Sequence, residues 1–250
     1  MIGALALVVF VLSCSAVGLR LIWIGNRDGF GPAWSCGNGF LFIALIGQPL
    51  TVASGLATGT VGSLNHGMAA AAMLFMAAGL SSFYAFTLTV FRPRSPWAWA
   101  LTAAAVLGLG VCTFGRIDAL ASADRALLAN EVGLRWMLAL STLSTLCYAW
   151  LGVEAMLEWS QSRRRLALGL ADPVVSDRFL MWGLFGVSTT LLSGFMLWLQ
   201  AATKEGAQGL VGQLALTGFG LVSAATVMLA FFPPARYLDW VRTRASAAAR

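Results

Sequence analysis

Charge is scarce in this chain. Only 10% of its 250 residues are Asp, Glu, Lys or Arg, where a soluble domain carries roughly a quarter. A single lysine, Lys204, and a single histidine, His66, narrow the chemistry further. Lys204 falls in a loop, so no apolar span offers an amine for a retinal Schiff base. One histidine excludes bis-histidine haem ligation and an ordinary histidine zinc site; it reads as a solvated side chain in the loop between the second and third spans. The four cysteines, Cys14, Cys36, Cys112 and Cys147, show no CxxC spacing and read as small core residues. No GxSxG, HExxH, P-loop or paired-aspartate motif occurs. Neither enzymatic function nor a cofactor or metal is expected.

What is present is apolar. Residues of hydrophobic type make up 59% of the chain, the mean hydropathy is +0.80, and a membrane-crossing helix needs about 20 such residues. Seven spans follow: 2–24, 39–58, 68–91, 97–115, 132–159, 178–200 and 209–232. The expected fold is an all-α seven-transmembrane-helix bundle in the lipid bilayer. The start of the chain has no basic leader segment and reads as a first span. Trp23, Trp97, Trp136, Trp159 and Trp198 sit near span ends, as interfacial anchors do.

The net charge of +6 lies in short loops beside the spans, which argues for topology signals and against nucleic acid. One set of ends holds Arg20, Arg27, Arg92, Arg94, Arg163, Arg164, Arg165, Arg178, Arg236, Arg242, Arg244 and Arg250; the other holds Arg116, Arg125, Arg135 and Lys204. The positive-inside rule then puts the N-terminus outside and the C-terminus in the cytoplasm, in a bacterial inner membrane.

Between the spans, Gly25 to Asn38 reads as an irregular turn, rich in Gly and interrupted by Pro32. Ile117 to Glu131 is expected to carry a short interfacial helix over Ala123 to Leu128, capped by Ser122. Ser160 to Asp177 reads as a basic loop in which Arg163, Arg164 and Arg165 anchor to lipid headgroups. Gln48-Pro49 predicts a bend in the second span, because proline removes a backbone donor.

The chain also matches itself. At an offset of 139 residues, span two meets span six with Phe40/Phe179, Leu41/Leu180, Leu45/Leu184, Gly47/Gly186, Thr51/Thr190, Ser54/Ser193 and Gly55/Gly194, seven identities in sixteen positions. Span three meets span seven at 141, with Gly79/Gly220, Leu80/Leu221, Ser82/Ser223 and Pro93/Pro234 among the matches. Conserved order and spacing of this kind point to duplication. The reading is a 3+1+3 parallel repeat: repeat 1 over 1–96, a linker helix over 97–131, repeat 2 over 132–235, and an amphipathic tail over 236–250. Small residues at the matched positions are expected at close helix contacts.

Glu154 carries a charge about 7 Å inside the Trp159 anchor, and an ionisable group at that depth points to function. The plainer expectation is a carboxylate paired with Arg178, Arg20 or the Arg163 cluster. Gln48 and Gln213 are the most polar uncharged groups deep in the spans. Tyr84 and Tyr148, with the hydroxyls of Ser81, Ser82, Ser141, Thr142, Ser144, Thr145, Ser188, Thr189, Thr190 and Ser193, suit either a small neutral ligand or ordinary bonds between helices. Gln48, Tyr84, Tyr148, Glu154 and Gln213 are the candidate ligand-binding residues.

The stretch Phe231-Phe232-Pro233-Pro234-Ala235-Arg236-Tyr237-Leu238-Asp239-Trp240 resembles the exit from the membrane of the seven-helix sensory regions of bacterial histidine kinases and related signalling proteins. There a proline pair ends helix seven and a basic amphipathic segment leads on to an output domain. With the chain stopping at Arg250, the resemblance implies a receptor whose output passes to a separate cytoplasmic signalling partner. A small-solute carrier with a parallel repeat, or a structural subunit of a membrane complex, are the rival expectations.

Overall fold

The computed structural model describes residues 2–56, 62–121, 131–202 and 210–248. Among them, seven helices are long and apolar enough to cross a membrane. The first span is α1 (Ile2–Asp28). The second is built of α2 (Gly31–Phe40), a π-helical stretch (Leu41–Gly47) and α3 (Gln48–Leu56). The rest are α4 (Gly62–Phe91), α5 (Pro96–Ala121), α6 (Glu131–Ala167), α7 (Pro173–Ala202) and α8 (Leu210–Phe231), followed by the tail helix α9 (Ala235–Ala248). Large side chains such as Leu12, Leu107 and Phe114 stand well exposed on the outer faces, a surface suited to the apolar interior of a bilayer.

Successive spans pack on one another, and α8 returns to α1, so six of the seven close a ring. The fourth span, α5, lies outside it, packed on α4 and α6 where those two meet. One end of the ring, here called the basic end, gathers the turn at Gly29, the turn from 92 to 95, the connection from 168 to 172, and α9.

Helices run further than the hydropathy profile suggests. Gly25 to Asn38 is not an irregular turn: α1 continues to Asp28, Gly29 turns the chain at φ +64°, and α2 starts at once. Pro32 stands in the first turn of α2, where its missing N–H would have had no helical partner in any case. The basic loop likewise shrinks to 168–172. Arg163, Arg164 and Arg165 belong to α6, Gly169 ends it at φ +71°, and Asp172 caps α7 by accepting the Val174 N–H at 2.8 Å. Span four runs on through Ala121, while the helix expected over Ala123 to Leu128 lies outside the described residues. His66 is a half-buried residue on α4, not a loop side chain.

The π-helical stretch has a local cause. Pro49 has no N–H, and in an α-helix its ring would press on the carbonyl of Leu45. The backbone widens instead, and the Gln48 N–H bonds to Ile43 O, five residues back. Such stretches recur at functional positions.

Glycines set the closest helix approaches. A Cβ on Gly37 would fall 2.9 Å from Gly18 O on α1, and a Cβ on Gly186 would meet the backbone of Gly152 on α6. Gly47 instead lies against Met76 of α4. The matched pair Gly47 and Gly186 therefore both serve packing, but against different neighbours. The tail is held to the bundle by a 2.6 Å hydrogen bond from Tyr237 Oη to Asp177 Oδ2. Burial, reinforced by that bond, pushes the Tyr237 phenol above its usual range.

Candidate functional site

The interior of the ring divides into two levels. Toward the basic end it is solid with rings. Phe40 meets Phe83 edge-on at 5.0 Å and Phe185 at 5.7 Å; Tyr148 lies 6.0 Å from Phe83 and 6.2 Å from Phe185. Trp182 joins them, 5.7 Å from Phe185, 5.4 Å from Phe86 and 5.5 Å from Phe231. These contacts tie together the second span, α4, α6, α7 and α8. Phe40, Phe83, Tyr148 and Phe185 are all buried. Offset and edge-to-face pairs of this kind add about 0.5–1.5 kcal/mol each beyond their burial.

Beyond this floor the same helices part around a hollow with two lobes, 430 and 280 Å³ in volume. The lobes share Gln48, Met76, Ser144, Leu192, Ser193 and Leu216. The larger reaches Ser141 and Met196, and the smaller reaches Phe10 of α1 and the Tyr148 ring of the floor. Its volume is within the range of small-molecule sites, and its mixture of methionine, leucine and a few polar groups is typical of them.

The hydroxyls separate into two populations. Most bond to the carbonyl one turn back on their own helix: Thr51 to Gly47, Ser81 to Ala77, Thr87 to Phe83, Thr145 to Ser141 and Thr190 to Gly186, all within 2.7–2.9 Å. Ser188 and Thr189 reach Ser223 across α7 and α8 at 2.8 and 3.2 Å. Such groups are already satisfied and serve the fold. Ser141, Ser144 and Ser193 are different. Their hydroxyls, with the Gln48 amide and the Tyr148 phenol, have no hydrogen-bond partner among the described residues, and all five side chains line the hollow. Ser15, Thr102 and Thr113 also lack partners, but their oxygens are sealed from any space.

The five residues singled out by sequence therefore part company. Gln48 lines both lobes, and Tyr148 lines the smaller one. Tyr84 is buried outside the hollow, where its hydroxyl donates to Leu143 O at 2.8 Å. Gln213 stands exposed near the start of α8 and is not part of the lining. Glu154 belongs to the basic end. Its carboxylate, 5% exposed, accepts both hydrogen bonds of a forked contact from Arg92 Nε, at 2.9 and 3.1 Å, and a third from Trp150 Nε1 at 3.2 Å.

The partner of Glu154 is thus Arg92, and not Arg178, Arg20 or the Arg163 cluster. Arg92 follows the last residue of α4, α4 and α6 pack together, and Trp150 stands one helical turn before Glu154 on the same face. Depth was the available clue, since Arg92 and Glu154 lie at comparable distances from the basic end. Which arginine turns inward depends on the packing of α4 against α6, which no local pattern encodes. Among the described residues, no group of His, Cys, Asp and Glu side chains could hold a metal ion.

Compared with family models, curated proteins and solved structures, the chain matches none of them.

Proposed function

We propose that this integral membrane protein binds a small, mainly apolar ligand carrying one or two hydrogen-bonding groups, and works as a receptor-like sensor. The observation that carries the reading is the set of unpaired polar groups at the hollow. Gln48, Ser141, Ser144, Tyr148 and Ser193 come from three different spans and converge on one space, and polar groups kept without partners in a bundle core have a cost that a ligand would offset.

The orientation we propose follows the arginines: basic end in the cytoplasm, N-terminus outside, in a bacterial inner membrane. Tyr148 belongs to both the hollow and the floor, so a ligand that moves its ring would press on Phe83 and Phe185. From there the ring contacts run to Trp182 and Phe231, next to α9 and the resemblance-bearing exit segment. Output would pass to a separate cytoplasmic signalling partner through the basic end. The Arg92–Glu154 pair would act as a latch in that transmission and not as a ligand contact.

A carrier is the second reading, favoured by the proposed 3+1+3 duplication, whose site would lie between the halves. The packed floor weighs against it, since through-passage requires the rings to separate. A structural-subunit role would leave the unpaired groups without a purpose.

A thermal-shift screen of the purified full chain against small neutral apolar compounds tests the proposal. Hits should raise the midpoint by mass action and lose the effect in Ser144→Phe, which fills the shared part of the hollow. If no compound stabilises the protein, or if hits act equally on the filled variant, the site is not there. Uptake of a hit compound into proteoliposomes would favour the carrier, and copurification with a cytoplasmic signalling protein the sensor.

A further inference from the structure

A second binding feature lies on the outer face of α6 and α7, and it holds whether the bundle senses or transports. At the basic end, α6, the start of α7 and α9 surround a 190 Å³ pocket. Arg163 and Arg244 both line it, and each guanidinium lies over a tryptophan of the same pocket, Arg163 over Trp159 at 5.5 Å and Arg244 over Trp240 at 5.2 Å. Stacking of this kind orients the planar cation while leaving its N–H groups available. Ser176, only 3% exposed, lines the same pocket, and its hydroxyl has no partner among the described residues.

Along the same two helices, further into the membrane, runs an apolar trough of 360 Å³. Val153, Met156, Val187 and Leu191 form its walls and Gly152 its base. The faces are continuous. On α7, residues 176, 180, 187 and 191 follow one another at helical spacings of four, seven and four, so pocket and trough share one stripe. The trough residues on α6, from 149 to 157, lie about 9 to 21 Å from Arg163 at 1.5 Å per residue. One leaflet with its headgroups is about 20 Å deep.

We propose that this face holds one glycerophospholipid from the basic-end leaflet, its phosphate on Arg163 and Arg244 with the Ser176 hydroxyl, and one acyl chain in the trough. Charge selects the diester. The pocket also contains Asp177, already accepting from Tyr237, so two arginines and one aspartate leave a lining charge of one positive unit. A phosphodiester carries one negative charge, whereas inorganic phosphate carries about 1.5 to 2 near neutrality and would face Asp177 with the excess. A bound lipid would also clasp α9 to α6 and α7.

Native mass spectrometry of the full chain, released from nanodiscs of phosphatidylethanolamine and phosphatidylglycerol, tests this. One phospholipid should stay bound per chain. The double variant Arg163→Gln, Arg244→Gln should lower its occupancy about tenfold or more. Val153→Phe, an exposed wall residue whose substitution leaves the helix contacts intact, should also lower it while the arginines remain. Arg164→Gln with Arg165→Gln, neither of which lines the pocket, should leave it unchanged, and millimolar inorganic phosphate should not displace the lipid. An equal loss in the Arg164/Arg165 variant would reduce the effect to diffuse charge and overturn the site. No loss in Val153→Phe, or displacement by phosphate, would show an anion pocket without a lipid and overturn the proposal as well.

Discussion

Toward the basic end the ring of helices encloses Phe40, Phe83, Tyr148, Trp182 and Phe185 in one connected set of ring contacts; toward the opposite end the same spans line the two-lobed hollow. Each span passes through both levels, so its overall hydropathy does not produce the contrast. Side-chain size and backbone geometry do. Aromatic residues facing inward at one level fill the cross-section, while serines and methionines at the other leave it unfilled. The π-helical stretch before Pro49 separates the levels on the second span, with Phe40 on one side and Gln48 on the other. Polar chemistry divides in the same way. At the basic end the buried Glu154 carboxylate has its arginine and its indole, whereas at the hollow five polar groups have no hydrogen-bond partner among the described residues. Packing is concentrated in the first level, and the recognition proposed above would belong to the second.

Substitutions at the two levels should therefore have different signatures. The largest effect is expected for Phe185→Ala, which removes a buried ring touching Phe40, Tyr148 and Trp182. It should destabilise the bundle by about 3–5 kcal/mol, measured by reversible unfolding in mixed micelles; a loss below about 1 kcal/mol would mean the floor is not packed as described. Next comes the pair at the basic end. Arg92→Ala strands a buried carboxylate and should cost more stability than Glu154→Gln, whose neutral amide still accepts from Trp150. Combining the two should be less damaging than adding their separate effects. Additive losses would show that the two side chains do not interact. The smallest change in stability belongs to Gln48→Leu, within about 0.5 kcal/mol, because no intramolecular hydrogen bond is lost. The same substitution should weaken any ligand found by thermal shift about tenfold, as loss of one hydrogen bond to a ligand does. A destabilised Gln48→Leu protein with unaltered ligand binding would invert the comparison.

Much of this was visible in the amino-acid sequence, for identifiable reasons. Seven apolar runs separated by short, more polar connections point to seven crossings, because the bilayer imposes a length that any sufficiently apolar helix must meet. Glu154 declared itself by its rarity, and Gln48 by standing next to Pro49. The helical extent of Gly25 to Asn38 was hidden because Gly and Pro signal both turns and helix starts; only the position of Pro32 within the first turn of α2 distinguishes them. The basic run at Arg163 looked like a loop for its charge, yet arginine is a good helix former and α6 simply emerges from the hydrocarbon. The identity of the Glu154 partner, and the division of the hydroxyls into bonded and unbonded, depend on which helix faces which. Sequence periodicity is weak evidence for that in spans that are apolar on all sides.

The central claim, a hollow between the helices closed off at the basic end by its aromatic floor, is tested most directly by cysteine accessibility. Cys14, Cys36, Cys112 and Cys147 are buried, so Ser144→Cys and Ser193→Cys can be compared with a quiet background. In sealed vesicles of known orientation, a small membrane-impermeant thiol reagent should label both new cysteines from the side opposite the basic end and neither from the basic side. Phe185→Ala should open a route from the basic side. Failure to label from either side would indicate a filled interior, and labelling from the basic side with the floor intact would contradict the account outright.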